Sequence, residues 1–140
     1  MSALTLEIGL KVIAGSLARA GALECAPLAV VVLDAGGHDI AVQRQDRAGI
    51  LRVDIARAKA WCALGMGYSS KEIGERAQKM PAFFGALAAV SQGRMVPVAG
   101  GILLHDAQRN LIGAVGISGD TSDRDEDCAF AGAESAGLKP

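Results

Sequence analysis

Side chains able to do acid–base, nucleophilic or metal chemistry are few in this chain. They are two histidines, His38 and His105, three cysteines, Cys25, Cys62 and Cys128, and five carboxylates within "GISGDTSDRDEDCAFAG". Each histidine lies beside a turn signal, His38 after Gly36-Gly37 and His105 before Asp106. An imidazole that reached a pocket could serve as a general base near neutrality or ligate a metal ion; an exposed turn histidine is the plainer reading of both. The cysteines are odd in number and widely spaced, which fits buried, reduced thiols rather than a disulfide framework or a CxxC metal site. Neither Cys62 nor Cys128 has the basic neighbour in sequence that a catalytic thiolate needs. No G-x-S-x-G, H-x-x-H or H-E-x-x-H occurs, and the acidic stretch lacks the alternating ligands and closing Glu of an EF-hand, so no metal is expected.

Most of the acidity reads as a helix start. Asp123 and Glu126 have capping-box spacing, and Asp125, Glu126 and Asp127 crowd the positive end of a helix through "CAFAGAESAG". The glycine-flanked "GISGD" in front of it is not explained that way. Gly116, Gly119 and Asp120 fall where a strand leaves a sheet, and glycine there lets another backbone or a ligand come close. Asp120 is thereby the third candidate acid–base group, with His38 and His105.

The elements that must position these residues follow from periodicity and punctuation. Leu6, Leu10, Ile13 and Leu17 recur at helical spacing with Gly21 as a stop. "LAVVVLDAGGHDIAVQRQD" reads as strand, turn, strand, and "GGILLHDAQRNLIGAVGISG" repeats that grammar, with Asp34-Ala35 and Asp106-Ala107 opening the turns. Between the hairpins, "VDIARAKAWCALGMG" presents Ile55, Ala58 and Trp61/Cys62 on one helical face and ends in glycines. Ser69 to Glu72 is a capping box, Pro81 opens a further short helix, and Gly93 closes it. Helix, hairpin, helices, hairpin, helix favours an α+β domain with an antiparallel sheet over a doubly wound one.

Bulk properties narrow the classes. The 140 residues suit one domain spanning 1–140, and a core of Ala, Val, Leu and Ile with 18 glycines and 4% aromatics points to close packing completed in an oligomer. A net charge of −1 without a basic stripe argues against nucleic acid. No apolar run approaches a membrane span and no leader pattern opens the chain, so a cytoplasmic location is the expectation.

"VVVLDAGGHDIAVQRQD", "IARAKAWCALG", the glycine pair of "PVAGGILL" and "IGAVGISGDTSDRDEDCAFAG" occur in the order in which they appear in the GlcG/HbpS-like proteins, which the chain resembles over nearly its whole length. That family includes the C-terminal domain of PduO-type corrinoid adenosyltransferases. The resemblance implies a profilin-like α+β fold, a five-stranded antiparallel sheet with helices on it, in dimers or larger rings. It also implies a small cytoplasmic protein that binds haem or a related tetrapyrrole, with haem as the cofactor. Two departures stand out. The family's Gly-Gly-x-Pro block reads Gly100-Gly101-Ile102-Leu103, and the first helix has no histidine, which removes the axial ligand expected from the PduO-type domains.

By the same resemblance, Arg44 and Lys59 occupy the family's basic positions. Lys59, between Ala58 and Ala60, must snorkel outward or meet a carboxylate, Asp46 and Asp54 being the nearest choices. If both face a cleft, Arg44 grips a carboxylate bidentately and Lys59 adds a point charge. The expected ligand site is accordingly Arg44, Lys59, Gly100, Gly101, Ser118 and Asp120. The alternative reading is a cofactor-independent isomerase, lyase or hydrolase that clamps a small organic acid there, with His38, His105 or Asp120 as acid or base.

Overall fold

In the computed structural model, which describes residues 3–140, the chain runs α1 (Leu6–Ala22), β1 (Ala29–Asp34), β2 (Asp39–Arg44), α2 (Arg52–Met66), α3 (Ser70–Lys79), α4 (Pro81–Val90), β3 (Gly101–His105), β4 (Leu111–Ser118) and α5 (Ser122–Ser135). The strands form one sheet in the order β2-β1-β4-β3, and each neighbouring pair is antiparallel. The α+β class is as expected; the strand count is not. Among the described residues the sheet has four strands rather than five. Beyond α5 the chain does come alongside β3, but only Lys139 pairs, with His105, and Pro140 next to it has no N–H with which to extend a ladder.

The two hairpins echo each other in structure as well as in sequence. Asp34 Oδ1 accepts the N–H groups of Gly36 (2.9 Å) and His38 (3.0 Å), and Asp106 Oδ1 accepts those of Gln108 and Asn110 (both 2.9 Å). An aspartate that binds its own backbone two and four residues on substitutes for turn hydrogen bonds. The fourth residue of each turn is left-handed, Gly37 at φ 84° and Arg109 at φ 65°, and each ladder shifts register just before the turn.

Ser69 caps α3 by accepting the Glu72 N–H, as its spacing predicts. At α5 the cap is Thr121, whose Oγ1 accepts the Arg124 N–H, instead of the expected Asp123–Glu126 pair. Thr121 is the last extended residue, so its side chain meets the orphan amides, while Asp123 already lies in the first turn.

Helices cover both faces of the sheet. On one, α1 and α5 enclose Val30, Val32, Ile102, Leu104, Val115 and Ile117; on the other, α2 covers Ala29, Val31, Leu33 and Ala114. The buried side of α1 is Gly9, Val12, Ile13, Ser16 and Ala20, so the expected leucine stripe is rotated and Leu6 and Leu10 are exposed. Small residues decide this rotation. α1 and α5 approach so closely that a Cβ on Gly132 would overlap Ser16 Oγ and one on Gly15 would overlap Ser135. On α2 the inward residues are Ala56, Lys59, Ala60, Cys62 and Ala63, about one position around from the predicted Ile55/Ala58 face.

Candidate functional site

β4 leaves the sheet at Ser118, and the residues around that strand end form one connected polar cluster. Lys59, on the sheet face of α2, donates from Nζ to the Ile117 carbonyl (2.9 Å) and to Asp125 Oδ2 (3.2 Å); its side chain is 4% exposed and that of Asp125 1%. Asp125 Oδ1 accepts the Asp120 N–H (3.0 Å), and Ser118 Oγ accepts from Arg52 Nη1 (3.1 Å). Burial pulls the Lys59 pKa down and pushes the Asp125 pKa up, in both cases against the stabilising influence of the partner charge. The carboxylate expected to meet Lys59 was Asp46 or Asp54. The one that does is Asp125, from the acidic helix start, so that helix supplies a counterion as well as a favourable terminus.

Gly100 and Gly101 are packed against this lysine. A Cβ on Gly100, at φ 133°, would lie 2.8 Å from Lys59 Nζ and 2.7 Å from the Ile117 carbonyl, and one on Gly101 would overlap the Lys59 carbonyl. Their main-chain groups are also used: Gly101 N–H donates to Ser70 Oγ (2.8 Å), and the Gly100 carbonyl accepts from Ile117 (2.9 Å). The structure thus gathers Lys59, Gly100, Gly101, Ser118 and Asp120, the last through Asp125, but with their polar groups turned on one another.

Arg44 is apart from them. In the sheet register Ala29 sits between Arg44 and Ser118, which separates the two by two strand spacings, about 10 Å. The Arg44 guanidinium donates to the Ala48 carbonyl (2.8 Å) and borders a cleft of about 470 Å³ with Cys25, Pro27, Gln45 and Asp46. The clamp of Arg44 with Lys59 is therefore not assembled, because Lys59 is committed to Asp125 inside the fold.

Both histidines are at the other end of the sheet. Asp34 pairs with Gly113 and His105 with Leu111, at the start of β4, whereas Asp120 follows its end. Eight residues of strand hold the histidines roughly 20 Å from Asp120, so the three candidate acid–base groups form no common site. His38 is held through Nδ1 by Asp34 (3.2 Å) with its ring largely in solvent. His105 Nδ1 lies 3.3 Å from the Lys139 carbonyl, and His105 lines a cleft of about 630 Å³ with Arg109, Lys139 and Pro140. Of the functional-looking groups, Arg52, Arg109 and Lys139 carry no signal in the sequence, and Asp125 is legible there only as part of a helix start. The contacts of Arg52 with Ser118, Asp125 with Lys59 and Lys139 with His105 span 34 to 66 positions, and no local spacing signals such pairs.

Burial raises the Cys62 thiol to about 11 and the Cys128 thiol to about 12, the latter also through Cys25 and the neighbouring carboxylates, which keeps both as neutral core groups. Among the described residues no group of three His, Cys, Asp or Glu side chains is arranged to hold a metal ion, and no helix is long and apolar enough to cross a membrane.

Asp120 gives a pH test. Its carboxyl is held below the ordinary value of 3.8, chiefly by the Ala26 N–H (2.7 Å) and then by that of Thr121, with Arg124 nearby. A folded pKa below the unfolded one contributes stability that is complete above 3.8 and disappears as pH falls through the folded value. Asp120→Asn is expected to flatten the acid limb of the urea midpoint plotted against pH below about pH 4. An acid limb identical to that of the wild type would show that Asp120 does not carry it.

The family model described as "Haem degrading protein HbpS-like" matches residues 4–134. The corrinoid adenosyltransferase PduO of Salmonella typhimurium is 33% identical over 103 residues, 74% of this chain and 30% of PduO, so the chain spans under a third of that relative. Among solved structures, the PduOC:heme complex is 28% identical and superposes with a TM-score of 0.89, covering 99% of this chain and 98% of its own. A double mutant of HbpS from Streptomyces reticuli is 26% identical with a TM-score of 0.81, covering 96% of this chain and 87% of its own.

Proposed function

Since the chain belongs to the HbpS-like family, we propose that it is a small-molecule binding protein whose ligand is haem or a related tetrapyrrole. The observation that carries this reading is the likeness, along the whole chain, to a domain solved as a haem complex.

The donor sets of the two large clefts differ in how well they suit such a ligand. A haem presents an iron that takes an axial base and two propionate carboxylates. The cleft at the turn of the second hairpin has an imidazole and two cations, His105, Arg109 and Lys139. With Nδ1 of His105 donating to the Lys139 carbonyl, Nε2 is left as the basic nitrogen, and a backbone carbonyl on the far ring nitrogen both fixes the tautomer and raises ligand basicity. Arg109 and Lys139 are the groups that would meet the propionates. The volume falls within the usual range for ligand clefts, about 300–1,000 Å³. The Arg44 cleft is less suited, because its guanidinium is tied to Ala48 and Asp46 opposes an anion. A bound haem would bring redox and axial-ligand chemistry; the chain's part is to hold it, orient His105 and balance its charge.

The same proposal includes a homo-oligomer. None of the residues of α4 is buried, its ten residues carry no charge, and Phe83 and Val90 stand exposed, as expected of a surface covered by another copy of the chain.

The test is a haem titration followed by visible absorption on the wild type, His105→Ala and His38→Ala. A saturable Soret shift is expected in the wild type and in His38→Ala, with affinity at least ~10-fold weaker in His105→Ala, the loss of an axial ligand. Absence of a saturable shift, or equal affinity in His105→Ala, removes the haem reading or this cleft respectively.

A further inference from the structure

A third cleft, on the outer side of α2, has the composition of a binding site and belongs to neither cluster described above. Its floor is Trp61, the only tryptophan of the chain, with Ala58 one turn before it. Gly93, at φ 73°, turns the chain out of α4 and delivers Arg94 onto the indole, with the guanidinium carbon 4.0 Å from the ring centroid. Arg94 Nε donates to the Ser91 carbonyl (2.8 Å), so the guanidinium is anchored at one edge and stacked on its face. Its two terminal nitrogens have no carboxylate partner among the described residues. A guanidinium pre-positioned in this way has little rotamer freedom left to lose, and its open edge presents a planar fork suited to a carboxylate.

The other charged residues of the cleft limit the charge of what can bind. Arg57 is already engaged by Asp39 through two contacts of 3.0 Å and by Asp54 at 3.5 Å, and Asp54 is itself one of the residues that line the cleft. A second negative charge on the ligand would face Asp54. The space, about 250 Å³, lies below the range of about 300–1,000 Å³ typical of drug-sized ligands.

We propose that the Trp61–Arg94 cleft binds a small monocarboxylate with a short apolar body, its carboxylate on the free edge of Arg94 and its hydrocarbon on Trp61 and Ala58. The site is independent of the haem reading, since it shares no residue with the His105 cleft.

Because Trp61 is the sole tryptophan, its fluorescence reports occupancy directly. Hexanoate is the probe and hexanamide its neutral match. A saturable change is expected with hexanoate, at least ~10-fold weaker with hexanamide and in Arg94→Gln, since a charge-assisted pair has been removed. Arg94→Gln also alters the resting environment of the indole, so Ala58→Phe serves as the second variant: it keeps Arg94, fills the floor and is expected to abolish the hexanoate response. Lys11→Gln, on the exposed side of α1, is expected to respond like the wild type. No saturable response to hexanoate, equal affinity for hexanamide, or undiminished binding in either cleft variant would overturn the proposal.

Discussion

Lys59→Met is expected to lower the unfolding free energy by about 3–5 kcal/mol, the usual consequence of removing one partner of a buried ion pair. Methionine replaces the aliphatic stem, so lost packing is a minor part of the effect. What remains is Asp125, 1% exposed, with the Asp120 N–H as its chief hydrogen bond and no cation in contact. The loss is expected to depend on pH with a definite sign. Burial already raises the Asp125 pKa above 3.8, and losing Lys59 raises it further, so the folded value lies above the unfolded one. Such a group destabilises the fold when ionised and ceases to as pH falls through its folded pKa, so the deficit in Lys59→Met shrinks on acidification. Lys59→Met/Asp125→Asn is expected to recover more than half of the loss at neutral pH, because no isolated charge is then left inside. Urea denaturation of the three proteins decides the matter; a deficit under about 1 kcal/mol in the single variant would mean that solvent reaches Asp125.

Gly116→Ala is expected to be comparably damaging for a different reason. Gly116 is in the middle of β4, directly beneath α2, and a Cβ there would overlap the Ala56 carbonyl; Gly101→Ala would meet the Lys59 carbonyl in the same way. Overpacking usually costs about 1–3 kcal/mol, and here the obstacle is main chain, which has no alternative rotamer, so about 3 kcal/mol or more is expected. Gly85→Ala gives the contrast. It is in α4 with nothing of its own chain within 4 Å of the added carbon, and it should stabilise that helix by about 0.5–1 kcal/mol through propensity. Thermal unfolding of the two variants should separate in opposite directions; a loss below about 1 kcal/mol in Gly116→Ala would show that α2 can lift off the sheet.

The hairpins, the α+β class, the Ser69 cap and the Pro81 start were legible because each rests on residues within a few positions of one another. The Asp34 and Asp106 turns are the clearest instance: one residue type at one offset wires both. What was not legible depends on contacts across the chain. The face of α1 was misread because helical spacing marks where leucines recur, not which neighbour will come close, and Gly132 draws Ser16 inward while Leu6 and Leu10 stay outside. The sequence leaves Lys59 to snorkel outward or to meet a carboxylate; it meets one, but proximity in sequence points to Asp46 or Asp54, whereas the partner is 66 positions on. Gly100 and Gly101 were read as a place for a ligand to approach; the group that approaches is Lys59 itself. The expected fifth strand is not formed among the described residues, where the only addition to the four-stranded sheet is one bridge from His105 to Lys139.

The seating of α2 has a consequence for how this architecture can vary. Between α1, α5 and the sheet, branched side chains such as Val12, Ile13, Ile102 and Leu104 interleave, so one methylene gained at one position can be given up at another. Where α2 crosses Gly101 and Gly116 there is no such layer, because carbonyl groups of the helix rest on bare Cα atoms and the gap there is set by backbone thickness. One side of the sheet can therefore drift in composition while the other keeps a fixed dimension, and a chain can diverge widely in its leucines and valines yet still be held to glycine at 101 and 116.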